Sequence, residues 1–213
     1  MDMIKVGERV STDVKAALGE RLGLSARALE EVGPEVCHAA LKRMLEMEAR
    51  LRELERTADR DELTGVMRRG SGMQAMRQEL KRAQRFGQKV IVGFLDVEGL
   101  KRVNDTQGHA AGDQLIQNVA SMVRAGLRGY DVLARYGGDE FICSLPGTTE
   151  RAARRRFAAI SRSLARVGAR ITVGVAEVEM GETLESALER ADAELYAIRA
   201  VARAGQPLDA RVI

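Results

Sequence analysis

From Thr57 onward the sequence alternates between short β-branched runs and stretches of helical periodicity, and this alternation constrains the fold more than any other feature. Residues 89–97 (KVIVGFLDV) are apolar on both parities, the pattern of a strand covered on both faces. Runs at 132–136 and 141–145 flank Gly137-Gly138, a spacing that predicts a hairpin closed by a two-residue glycine turn. A fourth strand is expected at 169–178. Helices are expected at 71–85, 113–125, 150–165 and 184–201; in the second of these Leu115, Ile116, Val119 and Val123 share one face. Strands alternating with helices around one hairpin predict an α/β (α+β) fold, a mixed central sheet flanked by helices.

Residues 1–58 differ. Short helices are expected at 11–22, capped by Ser11 or Thr12 and stopped at Gly23, and at 25–32, between Ser25 and Gly33. Pro34 suits the first turn of a long helix over 34–58. Along it Cys37, Ala40, Met44, Met47, Leu51, Leu54 and Ala58 recur in alternating steps of three and four, a heptad seam. In that frame Arg43 and Arg50 fall at g and Glu48 and Glu55 at e, so a parallel dimer would bring opposite charges together. A single amphipathic helix packed on its own chain is the alternative. The expected organisation is a helical regulatory and dimerisation segment (1–58), an α/β domain (59–205) and a tail (206–213).

Composition narrows the function classes. Lys and Arg number 34 against 31 Asp and Glu, a surplus of only +3, and aromatics make up 3% of a chain without tryptophan. Neither supports a nucleic-acid binder or a base-stacking platform. The helix at 150–165 is arginine-rich, but with no aromatic residues interleaved to stack bases it reads as a solvated face. No apolar run reaches membrane-spanning length, and the first residues, MDMIKVGERVSTD, do not resemble a secretory signal. Cys37 and Cys143 lack metal-ligand spacing and read as reduced thiols. The expectation is a cytoplasmic protein with no membrane partner.

The chemistry-bearing residues lie at strand ends. Asp96 ends an apolar strand, where a charge needs a partner, and Asp139-Glu140 follows the glycine pair. Were the strands neighbours, three carboxylates would converge, and oxygen-only ligands favour Mg²⁺ or Mn²⁺. Taken singly, each acid also reads as a solvated strand end. The segment 101–113 (KRVNDTQGHAAGD) holds Lys101, Asn104, His109 and Asp113 between a strand and a helix. A carboxylate and an amide together can read a guanine edge, and Lys101 can meet phosphate. The same segment also reads as an Asx-rich loop with Asp113 as a helix cap.

RYGGDEF, at 135–141, resembles the signature of the GGDEF family of diguanylate cyclases. DELTG (61–65) resembles that family's opening motif, 96–113 its metal and guanine segment, ITVGVA (171–176) its following strand, and Ala191-Asp192 with Leu195-Tyr196 its closing helix. The resemblance runs in order over about 59–205. It implies a nucleotidyl-cyclase or polymerase-palm-like fold in which each subunit binds GTP and two subunits meet, giving cyclic di-GMP and two pyrophosphates. By position it implies Asp96, Asp139, Glu140 and the Val97 carbonyl as metal ligands, for two Mg²⁺ or Mn²⁺ per site. Asp139, Glu140 and Lys101 would be catalytic. Asn104, His109 and Asp113 would hold guanine, with Gly99, Leu100, Gly137, Gly138, Arg199 and Arg203 around the phosphates. Arg128 and Asp131 resemble the family's RxxD product-inhibition site; an ordinary ion pair is the plainer reading of that motif.

The chain departs from the family pattern. Glu98 stands where Asp is usual, Gly99 where Phe is usual, Arg68 where Asn is usual, and Arg199 where Lys is usual. The principal expectation is a homodimeric diguanylate cyclase joined through its N-terminal helix. The alternative is a catalytically weak domain that binds GTP or cyclic di-GMP and signals by contact.

Overall fold

In a computed structural model of the chain, residues 13–25, 29 and 32–204 are described, with the side chains of 51–58 and 203 excepted. They divide into two compact units between Ala58 and Asp59.

In the first unit, helix α1 (13–22) is followed by α2 (Pro34–Ala58). The residues expected to begin a dimer seam are used inside the chain. Cys37 is fully buried against Leu18 and Leu29, with Ala40 and Met44 packed alongside. Glu48, expected to meet Arg43 of a second chain, pairs with Arg21 of α1, and Arg43 lies near Glu46 on its own helix. An apolar stripe binds whichever apolar surface is nearest, and here that is α1. Met47, further along, is exposed. The helix expected at 25–32 falls mostly outside the described residues, as does the tail at 206–213.

The second unit is a five-stranded mixed sheet in the order β1-β3-β4-β2-β5. Its strands are β1 (Met67–Arg68), β2 (Val90–Val97), β3 (Val132–Arg135), β4 (Glu140–Pro146) and β5 (Ile171–Glu177). The central β2 runs antiparallel to both β4 and β5, and the short β1 pairs parallel with β3. Such a strand of two residues carries no periodic signal, which is why β1 was not anticipated. Five helices follow: α3 (Arg69–Arg85), α4 (Leu100–Gln107), α5 (His109–Gly126), α6 (Glu150–Ala165) and α7 (Leu184–Arg203).

The sheet is covered on both faces, as its two-sided apolar strands require. On one face Ile91, Leu95, Phe141 and Leu145 pack under Ile116, Val119 and Val123 of α5 and Phe157, Ile160 and Leu164 of α6. On the other, Val92, Phe94 and Ile142 pack under Met76 and Leu80 of α3 and Leu188, Ala191 and Leu195 of α7. Contact between α7 and β5 is close enough that a Cβ on Gly174 would lie 1.9 Å from the Ala191 carbonyl oxygen. Among the described residues no helix is long and apolar enough to cross a membrane.

Two local expectations are corrected. The segment 101–113 is not an open loop: α4 begins at Leu100, and only Gly108 separates it from α5. Gly108 has φ +84°, which ends one helix and starts the next at low steric cost. The 132–145 hairpin does not close through a two-residue glycine turn. The Tyr136 and Gly137 N–H groups both donate to the Glu140 carbonyl, at 2.8 and 3.2 Å, leaving a wider loop. Neither Gly137 nor Gly138 has positive φ, the geometry that a two-residue turn of the I′ type demands.

Candidate active site

Strand parity sets which carboxylates meet. Val92, Phe94 and Asp96 face the α3/α7 side, and on β4 so do Glu140 and Ile142. Asp96 and Glu140 are direct register partners, and the Val97 N–H donates to the Asp139 carbonyl at 3.0 Å. The ends of β2 and β4 therefore bring Asp96, Asp139 and Glu140 to one edge.

Asp96 is 6% exposed and is held by α7: Arg199 Nη1 donates to Oδ2 at 2.7 Å and Nη2 to Oδ1 at 2.6 Å. Burial pushes the Asp96 carboxyl up, the Arg199 charge pulls it back, and Asp139 and Glu140 push it up again, to about 6. Glu140 is also raised, by burial first and then by Asp139 and Asp192. Among the described residues no three acidic, thiol or imidazole side chains are gathered closely enough to hold an ion as they stand. The strand ends converge as expected, but Arg199 occupies the Asp96 oxygens. The edge still suits a divalent cation, because three carboxylates gathered at one edge repel one another and lower that repulsion by sharing positive charge.

The turn beside them is fixed by residues whose role was not read from the sequence. Arg135 donates to the Gly138 carbonyl at 2.7 Å and to Asp61 Oδ1 at 3.1 Å. Asp61 in turn accepts from the Thr64 N–H at 2.9 Å and its hydroxyl at 2.7 Å. Burial opposes the charge on Asp61, yet the Thr64 and Arg135 contacts hold its carboxyl below the usual value. The opening DELTG motif thus clamps the signature turn. The signal in the sequence is a charge, Arg135, at the end of the apolar run 132–134, where it needs a partner. Gly137 has a steric reason: a Cβ there would sit 2.5 Å from Glu140 Oε2.

The expected base-binding residues lie on α4 and α5. Gly99, at φ +78°, turns the chain from β2 into α4, and Leu100 anchors the first turn in the core. Lys101 is exposed on that turn. Asn104 is half-buried, and its Oδ1 has no hydrogen-bond partner. It lies so close to α5 that a Cβ on Gly112 would come within 1.9 Å of that oxygen. Asp113, the next residue, and His109, at the start of α5, are both exposed. An orphaned amide oxygen beside an exposed carboxylate leaves polar groups ready for a ligand. Arg203, at the end of α7, has a side chain outside the described residues.

Two family departures have local partners. The Thr172 hydroxyl donates to Glu98 Oε1 at 2.6 Å. Arg68 donates to Glu62 Oε1 at 2.8 Å and to the Arg60 carbonyl at 2.7 Å.

The RxxD pair is split. Arg128 is exposed and donates to the Tyr130 hydroxyl at 2.7 Å. Asp131 is 2% exposed; its Oδ2 accepts from the Arg128 N–H at 2.7 Å and from Arg156 Nη1 at 2.8 Å, while Oδ1 has no partner. The helix read as a solvated basic face therefore supplies a buried ion pair through Arg156, and Arg154 on the same helix pairs with Glu150 and Glu194 at 2.7 Å each.

Comparison with known proteins agrees with this geometry. Residues 58–204 match the family described as diguanylate cyclase, GGDEF domain. The chain is 32% identical over 152 residues to the diguanylate cyclase DgcP of Pseudomonas aeruginosa, a match covering 67% of this chain but only 23% of that relative. Among solved structures, the coiled coil and GGDEF domain of DgcB from Caulobacter crescentus in complex with c-di-GMP aligns at TM-score 0.72 and 27% identity, covering 79% of this chain and 93% of that one. The diguanylate cyclase SiaD from Pseudomonas aeruginosa, in complex with its activator SiaC, aligns at TM-score 0.65 and 31% identity, covering 93% and 78%. On sheet order, carboxylate edge and signature turn alike, the chain belongs to the GGDEF, or diguanylate cyclase, family.

Proposed function

We propose that this domain condenses two molecules of GTP into cyclic di-GMP and two pyrophosphates, working as a homodimer and restrained by its product. In each of two half-reactions a ribose 3′-oxygen forms a bond to the α-phosphorus of the facing GTP. The bond to the β-phosphate bridging oxygen breaks, pyrophosphate leaves, and the hydroxyl proton passes to a base. The observation that carries the reading is the pairing of Asp96 opposite Glu140, with Asp139 beside them and the orphaned Asn104 amide on the adjoining helix.

Asp96, Asp139, Glu140 and the Val97 carbonyl would hold Mg²⁺ or Mn²⁺. Such ions, when bound, polarise phosphoryl oxygens and neutralise leaving-group charge. The residues of the chain do the rest. Asp139 or Glu140 accepts the hydroxyl proton. Lys101 offsets charge on the phosphates. The Gly99–Leu100 turn brings backbone N–H groups toward the triphosphate, while Arg199 and Arg203 add positive charge from α7. Asp113 accepts from guanine N1–H and N2–H₂, Asn104 binds the same base, and His109 stands near it.

Arg128 and Asp131 form the product site in this reading, and Arg156, already on Asp131, joins them. Dimerisation in this reading runs through the later part of α2, where Met47 is exposed and Leu51 and Leu54 continue the heptad spacing in the sequence. Glu at both Met47 and Leu51 places four charges in that seam and is expected to give a monomer whose specific activity falls on dilution, read by ultracentrifugation and by assay over a concentration series. A soluble nucleotide substrate implies a cytoplasmic site of action.

The reading is tested by incubation with Mg²⁺ and either GTP or ATP, followed by chromatography. GTP should be consumed and ATP left intact. Adenine turns a lone pair toward Asp113 and lacks the 2-amino group, costing about 1–3 kcal/mol per unpaired buried group. Comparable turnover of both nucleotides would refute the guanine assignment.

A further inference from the structure

Arg199 stands where the motif usually has Lys, and its contact with Asp96 shows what the difference does. A guanidinium fork matches a carboxylate two bonds to two, whereas an ammonium meets it as a point charge. Here both forks are used, at 2.6 and 2.7 Å, on a side chain 8% exposed. Both oxygens of the most deeply buried carboxylate at this edge are thus committed to one cation. Neighbouring Asp139 and Glu140 have no ion-pair partner among the described residues. A divalent cation and Arg199 cannot both hold Asp96 in this way, and a phosphate is the other anion that fits the same fork.

We propose that Arg199 is the resident counter-ion of Asp96, that it must leave before a divalent cation can take that carboxylate, and that the triphosphate of the incoming nucleotide draws it off. This rests on the reading of the site as a GTP site. Metal and nucleotide then bind as one linked event. Metal alone must break a two-pronged ion pair, and nucleotide alone meets an arginine held elsewhere; each lowers the cost of the other, and the linkage is reciprocal. Asp96 is never left buried with an uncompensated charge, since Arg199 covers it until the metal arrives. The arginine thereby keeps free Mg²⁺ from filling the site without substrate.

The test is Mn²⁺ binding to the full chain, followed by electron paramagnetic resonance, with and without a non-hydrolysable GTP analogue. In wild type, Mn²⁺ alone should bind weakly and the analogue should tighten it. In Arg199→Gln, Mn²⁺ alone should bind about tenfold tighter, within the usual span of coupled sites, and the analogue should add far less. Arg199→Lys, which keeps the charge but loses the fork, should fall between the two and covers the case in which the glutamine variant folds poorly. Equal Mn²⁺ affinity in wild type and both variants without nucleotide overturns the counter-ion role. Tightening in the variants with no analogue binding to any protein keeps the counter-ion role, removes the triphosphate as its trigger, and refutes the GTP reading instead.

Discussion

The domain buries two aspartates against arginines, and the two pairs are built differently. Asp96 lies at the strand-end edge, both oxygens bonded to Arg199 and two further carboxylates beside it. Asp131 lies under α6 at the RxxD corner, one oxygen shared by Arg156 and a backbone N–H and the other without a partner. The first pair is complete yet surrounded by like charge, so exchanging its cation relieves repulsion. The second is incomplete within a neutralised corner, so it gains by adding a donor. In the reading proposed above, the first site trades cations and the second receives a ligand that brings N–H groups.

The widest separation between the two should appear in catalysis. Glu140→Gln and Asp139→Ala are each expected to lower turnover on the order of a thousandfold or more, with circular dichroism unchanged. Changes at the RxxD corner should leave the initial rate near wild type. A Glu140→Gln protein with wild-type rate would erase the distinction.

Stability should show the reverse asymmetry. Arg156→Ala leaves Asp131 buried without its counter-charge and should cost about 3–5 kcal/mol in urea denaturation. Arg128→Ala, at an exposed position, should leave the unfolding midpoint in place yet weaken cyclic di-GMP binding about tenfold or more by calorimetry. Equal losses of stability from the two would make the corner a structural ion-pair network and nothing more.

The smallest effect is in pH. With metal chelated, Asp96 should titrate near 6, above the ordinary 3.8. Between those values the folded protein keeps a proton that the unfolded chain has released, so stability should fall as pH rises through that window. Asp96→Asn should flatten the slope. In Arg199→Gln the Asp96 carboxyl, followed by carbon NMR, should titrate higher still; an unchanged value would mean the ion pair does not form in solution.

Much of this could be read from residues alone. The two-sided apolar run at 89–97 announced β2, and a carboxylate at its end announced a partner, since burying a lone charge is so costly. Which partner could not be read, because Arg199 lies 103 positions away and reaches Asp96 only through strand parity and the packing of α7. Asn104 and Asp113 stand out by residue type, yet α4 and the start of α5, which carry them, do not, because Asn, Asp and Gly favour turns wherever no helix context is visible. The Arg156–Asp131 pair was hidden for the opposite reason: five arginines on one helix look solvated, and only the fold turns Arg154 and Arg156 toward half-buried or buried partners. In α2 the heptad spacing is real, yet spacing alone does not say whether the apolar stripe meets α1 or a second chain.

The most direct measurement of the central claim is ³¹P NMR of purified protein with GTP and Mg²⁺, run beside Glu140→Gln. The account predicts two pyrophosphates for each cyclic di-GMP from wild type and neither product from the variant. GTP that remains intact in both, while cyclic di-GMP still binds at the Arg128 corner, would contradict it and make the domain a nucleotide sensor.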